Sequence, residues 1–356
     1  MLLLATNCNA VFNEQFSALE LDKTEDSLPA EAKDILGNLE INETISLESG
    51  MEAILHSGSE QAGNFLQQAI RSAALILITA LICGMVQMIY DSSGSNAVPN
   101  YVPLVGALAI TLAASSNLTS LIGMGRETIR LTDTFSKGLL GVLAASSAVI
   151  GNPASSAVKY AITVFFSDLL ITAIDKLITP ILYTYIAAVT ANAAIGDDML
   201  GKLSGILKSI CTWILSAIIT IFVFYLTVSG AISGGADAVT AKAAKLVISN
   251  AIPVVGKILS DATETVVASA GLLKNAIGIF GLLGVLAICV LPFLRLAVQY
   301  LVFKLCGAII SPVCEKRLAK LIDDLASAFG IMLGMVGGCA ILLMISIVST
   351  IMMTGV

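Results

Sequence analysis

SGAISGGADAVTAKAAKLVISNAIPVVGKILSDATETVVASAGLLKNAIG, residues 229–278, decides how the rest of the chain is read. It lies between two long apolar runs and carries seven charges, Asp237, Lys242, Lys245, Lys257, Asp261, Glu264 and Lys274, in a chain that is only 12% charged. Gly230 and Gly234 end the preceding run with side chains too small to hold a neighbouring backbone away. Asp237 stands where a helix should begin, beside unpaired N–H groups that favour a carboxylate. Lys242 and Lys245 share one helical face, and Lys257, Asp261 and Glu264 share another. Pro253, with Gly256 close behind, breaks or bends the pattern between them. The stretch therefore reads as a structured connector over 233–275, either a solvated loop or a pair of interfacial helices.

Working outward, 356 residues with 57% hydrophobic content are not the composition of an ordinary soluble domain. Windows of 18 or more nearly uncharged residues predict transmembrane helices, about six to eight segments in all. Upstream lie spans at 72–90 and 101–124, then GRETIRLTDTFSK (125–137). In that segment Glu127–Arg130, Arg130–Asp133 and Asp133–Lys137 are spaced as helical ion pairs, and it reads as a solvated helical connector. GLLGVLAASSAVI (138–150) is too short to cross comfortably and Gly151-Asn152-Pro153 breaks it, so a re-entrant or half-buried hairpin is expected over 138–158. Two apolar segments, 157–174 and 177–195, are split by Asp175-Lys176, and a long span follows over 207–231 with Trp213 as an interfacial anchor.

Downstream, 276–303 is apolar with Pro292 and Arg295 inside it. SPVCEKRLAKLIDDLASAF (311–329) predicts an amphipathic helix, with Ser311 as N-cap and Pro312 as first helical residue. Its apolar face, Leu318, Leu321, Ile322, Leu325 and Phe329, is expected to lie in the membrane interface or on a partner, making 304–328 a second structured connector. The last span, 329–353, carries Gly330, Gly334 and Gly338 at four-residue spacing, a helix-packing ridge. The fold class is thus all-α: a polytopic transmembrane helical protein with interfacial amphipathic helices, its membrane domain covering 71–356.

The first 70 residues differ. They hold twelve acids against two bases, −10, while the remainder holds thirteen acids against seventeen bases, +4, together the −6 of the whole chain. An acidic extramembrane region joined to a mildly basic membrane body implies two compartments, with the acidic part outside. Pro29 ahead of EAKDIL marks a helix start, and a second helix from about Leu47 runs into the first span. MLLLATNCNA (1–10) reads either as the remnant of a signal peptide or as a frayed terminus.

Seven scattered cysteines without a CxxC pair argue against a disulfide framework or zinc site, and a single histidine, His56, leaves no His cluster. No phosphate-binding loop, nucleophile–base pair or basic patch with interleaved aromatics stands out, so neither an enzyme, a cofactor nor nucleic acid is expected. Asp168 is the one carboxylate embedded in an apolar segment, with Asp175 and Lys176 on the same helical side. These and Arg295 are either an ion or solute path or paired structural charges. From the residues alone two functions stand: a structural or channel-forming subunit of a larger assembly, or a stand-alone permease for a small solute or ion.

The phrases ADAVTAKAAK, NAIPVVGKILSDATETV and LLKNAIG within 229–278 resemble the stage III sporulation protein AE family, with looser similarity from about residue 70 to the C-terminus. That resemblance implies a multi-pass protein of the mother-cell membrane, part of the channel or feeding-tube complex between mother cell and forespore that forespore development needs. It implies as partners other stage III sporulation membrane proteins, including a secretion-type ATPase and ring-forming subunits; the apolar spans add the lipid bilayer, and the residues leave a homo-oligomer open. Asp237, Lys242, Lys245, Asn250, Pro253, Gly256, Asp261, Glu264, Lys274 and Asn275 are then the candidates for partner contact or gating.

Overall fold

The computed structural model describes the backbone of residues 28–36, 47–92, 101–149, 153–251 and 255–351; its side chains are described over 28–36, 47–92, 101–146, 157–158, 160–227 and 275–351. Apolar runs set beside lipid must satisfy every backbone N–H and C=O internally, and the described residues do so as helices. A short α1 (Ala30–Leu36) begins behind Pro29, whose carbonyl accepts the Lys33 amide at 3.0 Å. It precedes α2 (Leu47–Ser92) and α3 (Val102–Val149). Next come α4 (Pro153–Ala173), a π-turn (Ile174–Ile178) and α5 (Thr179–Ile195), one continuous helical rod. Three long helices follow: α6 (Asp198–Ala251), α7 (Val255–Ile310) and α8 (Lys316–Ile351).

Contacts between helices fix the topology. Asn117 of α3 and Gln299 of α7 both donate to Ser72 Oγ of α2, at 3.4 and 3.1 Å. Thr111 of α3 meets Thr190 of α5 at 2.9 Å, and Thr163 of α4 meets Ser346 of α8 at 2.6 Å. Such pairings run each rod antiparallel to the next, so α2, α3, α4–α5, α6, α7 and α8 form an up-and-down bundle. Hydroxyl pairs of this kind hold helices together where apolar burial gives no drive against lipid.

Among the described residues, five helical stretches are long and apolar enough to cross a membrane: Leu47–Ser92, Val102–Ser146, Asp198–Thr227, Asn275–Ile310 and Lys316–Ile351. In their most apolar windows α2 and α6 bury only 22% of residues, against 61% for α7 and 56% for α8. The α7–α8 hairpin is therefore the core, and α2 and α6 turn their apolar side chains outward. Phe303 of α7 and Phe329 of α8 meet edge to face at 5.0 Å, both fully buried. At 46 residues, α2 is ~69 Å long, about twice a hydrocarbon core of ~30 Å. Exposed Leu75, Ile78, Ile82, Met85 and Ile89 mark its lipid-facing half, while Glu48, Glu52, His56, Glu60 and Arg71 cover the other.

Several local readings change. Residues 138–149 are no separate short segment; they continue α3, with Leu139, Leu140 and Leu143 buried and Leu139 packed over Gly281 of α7. Residues 150–152 lie outside the described residues. Asp175-Lys176 do not split two helices, since the π-turn carries the rod through them. Nor does Ser311 cap the last helix. The amides of Val313 and Cys314 bond back to the Ile310 carbonyl, both at 3.0 Å, closing a turn, and α8 starts only after Glu315, whose carbonyl accepts from Leu318 and Ala319. The expected interfacial helix is the first half of α8. Its face Leu318, Leu321, Ile322, Leu325 and Phe329 is buried inside this same chain, so no outside surface is needed to cover it. The segment 125–137 is likewise no solvated connector but the middle of α3, with Thr132, Asp133, Phe135 and Ser136 buried.

The α5–α6 corner depends on one glycine. Gly196 has φ 77° and donates to the Asn192 carbonyl at 2.8 Å, a left-handed cap that L side chains resist. Asp197 then accepts from the Met199 amide at 2.8 Å and starts α6. A Cβ on Gly196 would stand 1.9 Å from Arg317, whose guanidinium donates to the Ile195 carbonyl. Gly196→Ala is expected to lower the unfolding free energy by about 1–2 kcal/mol, read as a drop in the thermal midpoint of the detergent-solubilised chain.

Candidate functional site: a charge ladder between two helices

Arg126, Arg130, Asp133 and Lys137 recur on α3 at spacings of four, three and four, which aligns them in one stripe. The antiparallel α4–α5 rod sets Ser167, Asp168 and Asp175 opposite that stripe. Asp175 is clamped by two guanidinium groups, Arg126 Nε donating to Oδ1 at 2.7 Å and Arg130 to Oδ2 at 2.6 Å. About two helical turns further along, Lys137 Nζ lies 2.8 Å from Asp133 Oδ2 and also pairs with Asp168. Ser167 Oγ donates to the other oxygen of the buried Asp133 at 2.5 Å. Three acids and three bases thus close a neutral ladder. Beside it Thr132 meets Cys289 Sγ of α7 at 3.3 Å, tying the ladder to the core hairpin.

Asp175 lies in the π-turn, outside the candidate spans among the described residues. Partial burial works against the charged form of Asp175, but hydrogen bonds and charge from Arg126 and Arg130 outweigh it and hold the carboxyl below its ordinary value. A lowered carboxylate pKa contributes stability that is present above the unfolded value and is lost as pH falls through the folded one.

The sequence candidates are distributed unevenly around this ladder. Asp168 and Asp175 belong to it, each with a basic partner on α3; Asp168 is 61% exposed, so it is no buried intramembrane carboxylate. Lys176 points outward. Arg295 sits elsewhere, beside Pro292 in a cavity of about 710 Å³ shared with Glu31, Asp34 and Glu127, its guanidinium 4.0 Å from Met124 Sδ. Gly330, Gly334 and Gly338 face Tyr300, Leu215 and Ile219, with room for a Cβ only at 3.2, 3.3 and 2.8 Å. Asn275 is exposed on α7. Pro253 lies outside the described residues, as do the side chains of Asp237, Lys242, Lys245, Asn250, Asp261, Glu264 and Lys274. Of Gly230, Gly234 and Gly256 only the helical backbone is described. The ladder residues of α3 were visible in sequence only as a charged connector; the signal that marks them is their stripe spacing, matched by Asp168 and Asp175 seven apart.

Long apolar helices in an up-and-down bundle, tied by hydroxyl pairs and a neutral charge ladder, define a multi-pass helical membrane protein. A profile of the stage III sporulation protein AE family (spore_III_AE) matches residues 33–354. The chain belongs to that family. Stage III sporulation protein AE of Bacillus subtilis (strain 168) is 25% identical over 239 residues, 67% of this chain and 60% of that relative, so the alignment spans less than two thirds of the relative's length. No solved structure matches.

Removing Lys137 leaves the buried Asp133 with Ser167 alone. Lys137→Met is expected to lower the unfolding free energy by about 2 kcal/mol, whereas Asp168→Asn, at an exposed rung, should change it by less than ~0.5 kcal/mol. Denaturant unfolding of both variants in detergent checks the contrast.

Proposed function

We propose that this chain is a membrane subunit of the sporulation channel, or feeding-tube, complex that links mother cell and forespore, and that forespore development requires it. The observation that carries this reading is family membership over residues 33–354 on a chain whose five apolar stretches suit it to a multi-pass place in a membrane. Helices about twice the thickness of the hydrocarbon core leave half the bundle beyond the lipid, available to other subunits. On this reading the chain sits in the mother-cell membrane around the forespore and works as a structural or channel-forming part rather than as an enzyme. Its partners are other stage III sporulation membrane proteins, among them a secretion-type ATPase and ring-forming subunits. The polar connector that includes Lys242, Lys245, Asp261 and Glu264 is the proposed contact or gating segment.

A second reading, a stand-alone permease, draws on the cavity at Arg295, where one guanidinium shares about 710 Å³ with three carboxylates. The two readings part in a simple experiment. A clean deletion in the host is expected to give small, collapsing forespores after engulfment and few heat-resistant spores. Normal forespores and normal spore counts would overturn the channel reading, and solute flux by the purified chain alone in liposomes would favour the permease.

A further inference from the structure

Lys208 is the last charge on α6 before an uncharged run that continues to Asp237, and Asp323 and Asp324 are the last charges on α8. The two helices run parallel, and they change from charged to uncharged at the same level: Lys208 Nζ donates to Ser327 Oγ at 3.0 Å, one turn beyond the aspartates. Lys304 of α7 joins that level through Asp323 at 2.5 Å. From there a groove of about 640 Å³ runs between α6 and α7 over the floor of α8, open to the outside. Its near end is cationic, Lys208 and Lys304. Its walls are Leu215, Ile219, Ile331 and Leu333, interleaved with Thr212, Ser216 and Thr220. Gly330 and Gly334 line its floor.

We propose that this groove binds one anionic glycerophospholipid of the surrounding bilayer, its phosphate held by Lys208 and Lys304 and an acyl chain laid along Leu215, Ile219 and Leu333. Charge picks the occupant. Lys304 is already shared with Asp323; Lys208 feels the charge of Asp324 but its hydrogen bond goes to the neutral Ser327 hydroxyl, which leaves ammonium donors for a phosphate oxygen. Lysine, a compact ammonium with three donors, suits a phosphate oxygen. Dimensions agree: the twelve residues from Lys208 to Thr220 rise ~18 Å, close to one leaflet of a ~30 Å hydrocarbon core. Place agrees as well. α6 buries little of its apolar window, and Trp213, 71% exposed beside the groove, suits an interfacial position. Basic pockets between membrane helices take anionic headgroups for these physical reasons. The inference rests on the groove and does not depend on the sporulation role.

The test uses the full chain, purified in detergent and exchanged into phosphatidylcholine nanodiscs with or without phosphatidylglycerol, with retained lipid counted by native mass spectrometry. One phosphatidylglycerol should be retained in preference to phosphatidylcholine. Lys208→Gln should weaken that retention about fivefold. Ser216→Phe, which fills the groove without touching either lysine, should abolish it. Both residues are exposed, so both variants should keep the wild-type helical circular dichroism, and they make the test independent of Lys304→Gln, which breaks an ion pair. Equal retention of the two lipids, or unchanged retention in both variants, would overturn the proposal. So would binding of inorganic phosphate alone with no phosphatidylglycerol retained.

Discussion

The antiparallel packing of α7 against α8 is the interaction on which the rest of the structure rests. Between two helices that bury most of their apolar windows, lipid competes with protein on nearly equal terms, and close fit decides. Fit is provided by the small residues of α8. Gly330 and Gly337 admit Tyr300 and Phe293 of α7, while Gly334 and Gly338 admit Leu215 and Ile219 of α6. Three helices therefore close on one ridge. Every other rod is laid against this unit, α2 and α3 on α7, and α5 through Tyr185, whose hydroxyl donates to the Asp324 carbonyl at 2.9 Å.

Polar chemistry in the bundle is arranged around that core rather than within a single catalytic or transport centre. The ladder between α3 and the α4–α5 rod is internally neutral, so it holds two long helices in register without leaving a buried charge uncompensated. Register matters because an antiparallel pair of long apolar helices has few other features to stop it sliding. The pairs Thr111–Thr190 and Thr163–Ser346 act in the same sense at other levels of the bundle.

Hydropathy made the helical class legible, and the spacing of apolar residues in 318–329 identified the face of α8 that is buried. The Asp133–Lys137 pair was legible too, because both partners lie on one helix. What the sequence hid was tertiary. Arg126 and Arg130 find Asp175 across 45 to 49 residues, and no periodicity records such a meeting. A charge-rich segment looks solvated when its partners on another helix are unseen, which is why the middle of α3 read as a connector. The same blindness affected Asp175-Lys176: two charges in an apolar run resemble a break, yet the clamp on Asp175 lets the helix continue. The apolar face of α8 was found but its cover was sought outside, since amphipathicity does not say which surface does the covering.

The π-turn at 174–178 has a meaning for how this rod tolerates change in length. A π-turn is one residue more than the α-helix around it needs, and one residue is ~100° of helical rotation. Because the wide turn takes up that residue, losing one residue there lets the backbone relax to an unbroken α-helix with everything beyond it facing as before. Closing the same residues into an ordinary α-helix without a deletion would instead turn everything beyond by ~100°. Asp175 and Tyr185, which now face α3 and α8, could then no longer both meet their partners. The wide turn thus acts as a vernier between two contact surfaces on one helix, and the π geometry of 174–178, rather than its residue count, sets how the two surfaces face.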